Sequence, residues 1–155
     1  SSGLNSTTTQ NVQASPTAPT NYSLFATTDI GCTQTITINV SVDELDPGAI
    51  EIFDGTTAGA SMSLCPGTTP PANSAIRPQT GSVPTGGSGA YAYQWEYSAD
   101  QQTWNVIANA DNASAQLPTY ILNSTFDNVT ATRYYRRNAI NTGVTKSTGL
   151  VQLNV

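Results

Sequence analysis

Aromatic and polar residues alternate from Tyr91 to Ser98. Tyr91, Tyr93, Trp95 and Tyr97 fall on one side of an extended chain, and Ala92, Gln94, Glu96 and Ser98 on the other. A period of two sends successive side chains to opposite faces of a sheet, so this segment predicts a half-buried strand. Shorter stretches bounded by turn formers surround it. Residues 49–53 predict a strand closed by a Gly-Thr-Thr turn, and residues 61–65 a strand stopped by Pro66-Gly67. Residues 74–82 contain Pro78, which suits an edge or bent strand. Thr85 through Gly89 predicts a flexible turn, and Ala99 through Gln102 a hairpin turn into a strand at 104–107. Residues 116–122 predict a short strand interrupted by Pro118, and residues 132–140 and 150–155 a closing hairpin.

Composition agrees with an all-β chain. Only 10% of residues are charged, and the place of charge is taken by 24 Thr, 15 Ser, 13 Asn and 9 Gln. Thr and Tyr favour strands, Gly, Pro, Asn and Ser favour turns, and the helix formers Lys and Glu are scarce. The same counts exclude several chemistries. The chain has no His and two Cys, which removes Ser-His-Asp and Cys-His catalysis and thiolate zinc sites. Five cations and a net charge of −5 argue against nucleic acid, whose phosphates need Lys and Arg. The apolar runs are far shorter than the roughly 20 residues a membrane-spanning helix requires. Ten carboxylates are present, but no pair is marked as facing across a cleft, as glycoside hydrolysis needs. The expectation is a protein that is not an enzyme and uses no cofactor. Few Lys and abundant Thr, Ser, Asn and Gly suggest an extracellular β-protein, and the start inside polar sequence suggests a fragment or a processed product.

The chain resembles itself at an offset of 112 residues. Tyr22 lies over Tyr134, Gly31 over Gly143 and Thr33 over Thr145, and Ile38-Asn39-Val40 matches Leu153-Asn154-Val155 after a three-residue insertion. The expected organisation is therefore the C-terminal part of one domain at 1–42, a short acidic linker at 43–47 and a complete second domain at 48–155. Seven or eight short strands with a mid-chain Trp and a Tyr before the last turn fit an immunoglobulin-like β-sandwich. Trp95 takes the buried-Trp place, Tyr93 shares its face, and Tyr134 and Tyr22 are the tyrosine-corner candidates.

Three stretches carry a family resemblance. Cys65-Pro66-Gly67-Thr68-Thr69-Pro70, Gly86 through Asp100 with Trp104 and Ile107-Ala108-Asn109-Ala110, and Arg133-Tyr134-Tyr135-Arg136-Arg137 resemble the repeats of large Bacteroidota cell-surface adhesins, the SprB-like gliding-motility adhesins among them. The resemblance implies tandem Ig-like domains, type IX secretion, display outside the outer membrane, and a role in attachment and surface translocation. It implies neighbouring repeats as partners, with extracellular polysaccharide or solid surfaces as targets. It also implies a cysteine partner for Cys65 at the position of Val144, so Cys65 lacks that partner here, while Cys32 occupies the equivalent site in the preceding repeat. A Cys32–Cys65 bridge needs Cα atoms within about 7 Å.

Other candidates carry both a sharp and a plain reading. Asp43, Glu44 and Asp46, with Glu51 and Asp54, offer hard oxygens for Ca²⁺ or a solvated joint. Arg136 and Arg137 alternate, so one faces the core side and stacks on an aromatic ring such as Trp95, or binds a ligand. Tyr97, Trp104 and Tyr120 form either a sugar-binding platform or core packing. The first would suit a carbohydrate-binding module of a secreted polysaccharide-degrading enzyme. A pilus or phage-fibre subunit is a third class, because an incomplete sandwich is open to completion by another chain. Lys146, the single lysine, is the one residue able to form an intramolecular isopeptide bond.

Overall fold

The structure, a computed structural model, describes residues 3–87 and 90–155. It is all-β, with no helix among the described residues. It divides into two compact units, Ser1–Asp43 and Glu44–Val155. Ser88 and Gly89, part of the flexible turn expected at 85–89, lie outside the described residues.

In the first unit, β1 (Thr20–Thr27) and β2 (Thr33–Val40) form a two-stranded antiparallel sheet in register from Thr20↔Val40 to Thr27↔Thr33. The turn between them closes with Thr28 N donating to Cys32 O at 2.8 Å and Cys32 N to Thr28 Oγ1 at 3.0 Å. Gly31 supplies the positive φ of +83° that this turn requires. The Leu4↔Ala14 bridge, with Asn5 N donating to Gln13 O at 3.1 Å and Ser15 N to Gly3 O at 2.6 Å, shapes the segment before the hairpin.

The second unit has two sheets. The smaller runs β4 (Ala58–Gly59), β3 (Ile50–Phe53), β6 (Ala75–Pro78), β9 (Tyr120–Ile121). The larger runs β5 (Ser61–Ser63), β12 (Val151–Asn154), β10 (Arg133–Asn141), β7 (Ala92–Ser98), β8 (Asn105–Val106), with β11 (Val144–Ser147) also paired to β10. One apolar core joins them. Ile52, Ile76 and Tyr120 come from the smaller sheet, and Met62, Trp95, Tyr135, Val151 and Leu153 from the larger. β12 bonds β10 antiparallel on one edge and β5 in parallel on the other, so the last strand is held from both sides.

The closing hairpin is more elaborate than the sequence suggests. β10 turns through Thr142 at φ +46° and Gly143 at φ +82° into β11, breaks at 148–150, and returns to the same edge of β10 as β12. Two positive φ values in a two-residue loop are the hairpin turn that matches strand twist. The break lets β12 regain the edge after Thr148 N bonds Arg137 O at 2.9 Å.

Three placements differ from the sequence reading. Residues 44–47 are part of the second unit rather than a solvated linker at 43–47. Leu45 is 6% exposed, and Asp46 exchanges two backbone hydrogen bonds with Thr85, at 2.9 and 3.0 Å. Gly86 allows this approach, because a Cβ there would collide with the Glu44 carbonyl. The acidic neighbours masked the one apolar residue that docks. Second, of Trp95, Tyr134, Tyr22 and Tyr93, Trp95 alone is fully buried. Tyr93 and Tyr134 are half-buried, and Tyr22 is half-buried on the two-stranded sheet of the first unit. Third, the core tyrosine of β10 is Tyr135, because the register puts Tyr135 opposite Tyr97 on the inner face and Tyr134 opposite Ser98 on the outer one.

Candidate functional site

The pairing of β7 with β10 places the residues that carry chemistry. Arg137 lies opposite Trp95, and Arg136 opposite Glu96. The alternation of the strand therefore sends the two arginines to opposite faces.

Arg136 is the outer one. Its Nε donates to Glu96 Oε2 at 2.7 Å, and its guanidinium lies 4.1 Å from the centre of the Trp104 ring. Arg137 is the inner one and is fully buried. No acid answers it. Its terminal nitrogens donate to Pro118 O at 3.0 Å and Pro47 O at 2.8 Å, and its guanidinium sits 4.9 Å from the Tyr93 ring centre and 6.0 Å from that of Trp95. Its Nε has no partner. Burial pulls the Arg137 pKa down from its ordinary value, yet two carbonyls and two π-faces still receive the charge. Chemically this is a tie. It joins the entry segment at Pro47, the loop at Pro118 and the core aromatics through one side chain.

A second buried group was not visible in the sequence. Asp127 is 0% exposed and accepts hydrogen bonds from Tyr135 OH at 2.8 Å, Tyr120 OH at 3.2 Å and Asn123 N at 2.8 Å. Burial raises its pKa above the usual carboxylate range. Burial and the adjacent carboxylate together push both tyrosine hydroxyls upward. Both phenols remain protonated donors at neutral pH, and Asp127 holds strands β9 and β10 together from the loop after β9. Nothing in residues 123–127 announces the role, because it depends on the register that brings Tyr120 and Tyr135 to one carboxylate.

The remaining candidates are dispersed. Glu44 pairs with Lys146 at 2.7 Å, and that bond lowers the Glu44 pKa. Glu51 pairs with Arg77 at 2.9 Å. Asp54 accepts from Thr56 and Thr57, backbone and hydroxyl alike, and these bonds hold its pKa far below the ordinary value. Asp46 caps the Gly48 amide at 2.8 Å. Among the described residues no three His, Cys, Asp or Glu side chains gather as a metal site. The Lys146 amine faces a carboxylate that is mostly exposed, not a buried asparagine.

Of the two readings of Tyr97, Trp104 and Tyr120, the structure shows packing rather than a sugar-binding platform. Tyr120 is 0% exposed, Tyr97 packs edge-on against Phe126 at 5.3 Å, and Arg136 covers Trp104. Cys32 and Cys65 are both exposed free thiols. No helix among the described residues is long and apolar enough to cross a membrane.

A family model described as Domain of unknown function (DUF8696) matches residues 54–155. No curated protein and no solved structure matches the chain.

Proposed function

The chain belongs to this family of domains of unknown function, and from that premise we propose that it is a structural and adhesive repeat of a long cell-surface filament serving surface attachment and gliding. The fold proposed for Glu44–Val155 is an immunoglobulin-like sandwich, with Trp95 at its centre. The parent protein is extracellular, exported to the outer surface of a bacterial cell, and its immediate partners are further domains of its own kind. Polysaccharide or solid surfaces are the proposed targets of the filament.

One observation carries this reading. Part of the polar chemistry of the second unit holds the two ends of the unit. At its entry, Glu44 is tied to Lys146, Asp46 to Thr85 and Pro47 to Arg137, across three separate parts of the chain. At its exit, β12 is hydrogen-bonded along both edges. A domain loaded through its termini benefits from such anchorage. Low charge also limits repulsion between neighbouring filaments.

Pulling the chain from its two ends tests the mechanical part. The expected trace is one dominant unfolding step for Glu44–Val155, with a contour gain of roughly 35 nm. Unfolding of this unit at negligible force, or without a discrete step, contradicts a load-bearing role.

A further inference from the structure

The hairpin of the first unit has one face built mostly of apolar residues and one built mostly of polar residues, Phe25 at 66% exposure being the exception on the latter. Residues directly opposite across an antiparallel pair share a face. Tyr22↔Ile38, Leu24↔Ile36 and Thr20↔Val40 build one face, and Ser23↔Thr37, Phe25↔Thr35 and Asn21↔Asn39 the other. The first is apolar and open, with Leu24 54%, Ile36 49% and Ile38 51% exposed. The segment before the hairpin covers it only in part, leaving a hollow of about 400 Å³ lined by Leu4, Val12, Ala14, Tyr22, Ile38 and Val40.

The same chain shows what covers such a face. In β10 and β12, Tyr135 pairs with Val151 and Arg133 with Leu153. Tyr135, Val151 and Leu153 are buried under Ile52, Ile76 and Tyr120 of the smaller sheet, and β7 and β5 occupy the two outer edges. Superposing the apolar faces lays Leu24 on Tyr135 and Ile38 on Leu153, at offsets of 111 and 115 residues. The offset of 112 suggested by sequence identities lays Tyr22 on Tyr134, and so an apolar-face residue on the outer face. A one-residue slip inverts every side chain of a strand. For β1 the facing, not the identities, gives the correspondence; for β2 the two agree, with Ile38 on Leu153.

Resting on the reading of tandem domains, we infer that residues 20–40 are a docking surface for strands of another domain of this family in the same polypeptide. The occupant has two parts. A strand with the aromatic alternation of β7 lies antiparallel along the edge of β1 opposite β2, an edge that pairs with no other strand among the described residues, and a small sheet with an Ile-Ile-Tyr inner face covers Leu24, Ile36 and Ile38. A second copy of the chain stacked on this face is the poorer occupant. Two strands of eight residues present roughly 270 Å², about a third of the ~800 Å² per partner of a stable interface. Tethering in one polypeptide replaces that missing area with effective concentration. Charge does not oppose the docking, because Asp29 in the turn is the one charged residue between Thr20 and Val40.

Amide hydrogen exchange of the 155-residue chain tests this against a longer chain begun about 110 residues earlier in its reading frame. In the longer chain, protection of residues 20–27 and 33–40 is expected to rise roughly a hundredfold or more, to the level of β10. Ile38→Glu removes that gain, and Thr37→Glu, on the opposite face, leaves it in place. Equal protection in the two chains, a reading frame with no such segment, or a dimer of the 155-residue chain abolished by Ile38→Glu overturns the inference. Equal protection, or a dimer abolished by Ile38→Glu, leaves the surface-filament reading in place, whereas a reading frame with no such segment counts against both.

Discussion

Tyr134 and Tyr135 are neighbours in sequence with different tasks. Tyr135 donates to buried Asp127, and Tyr134 lies on the outer face of the sheet. Tyr135→Phe leaves the carboxylate short of a donor and is expected to cost about 1–3 kcal/mol, whereas Tyr134→Phe is expected to stay within about 0.5 kcal/mol. Urea unfolding of the two variants separates them, and similar losses contradict the assignment. The pH dependence of Asp127 has an unusual sign. Its folded pKa lies above the ordinary value of 3.8, so the native state binds more protons than the unfolded state just above that pH. Stability from this group is then greatest at low pH and declines as pH rises through the folded pKa. Asp100 acts oppositely. Backbone and hydroxyl donors lower its pKa to about 2, so its contribution is present above pH 3.8 and is lost as pH falls toward 2. The stability gap between the natural chain and Asp127→Asn is expected to narrow from about pH 4 to pH 7. A gap that widens on thermal denaturation across that range contradicts the account. Residue burial was legible only where the pattern was strong. Trp95 follows from alternation, but the choice of Tyr135 over Tyr134, and of Arg137 over Arg136, needs the cross-strand register. Sequence spacing does not contain that register.

At the scale of elements, most of the second unit's strands were legible because turn formers bracket them. Their lengths were not. Residues 116–122 were expected as a short strand interrupted by Pro118, and only Tyr120–Ile121 pairs, because Pro118 and the turn around Ala115 keep the earlier part off the sheet. β11 was hidden inside the closing hairpin because its exposed, polar pattern carries no core signal. The β10–β11 turn also offers a direct test of local strain. Thr142 holds φ +46°, a conformation that suits Asn far better than a β-branched residue. Thr142→Asn is therefore expected to stabilise the second unit by about 1 kcal/mol. A thermal midpoint that stays unchanged or falls contradicts that view of the turn. The hairpin of the first unit makes a related point. Identities suggested its counterpart at the closing hairpin, and the pleat then shifted the alignment of β1 by one residue while leaving that of β2 in place.

At the scale of the molecule, the acidic joint, the paired arginines and the aromatic set each suggested a site in the sequence. The structure distributes them instead. Carboxylates cap turns or pair with single cations, Arg137 ties the entry segment to the core, and the aromatics fill the interior or lie under cations. A unit whose ion pairs and buried aromatics serve its own cohesion fits the proposed task of carrying and spacing. The central claim is tested most directly by immuno-electron microscopy of the source cells with antibody against Glu44–Val155. The account predicts long filaments on the cell surface, labelled repeatedly along their length. Label confined to soluble secreted material would contradict it.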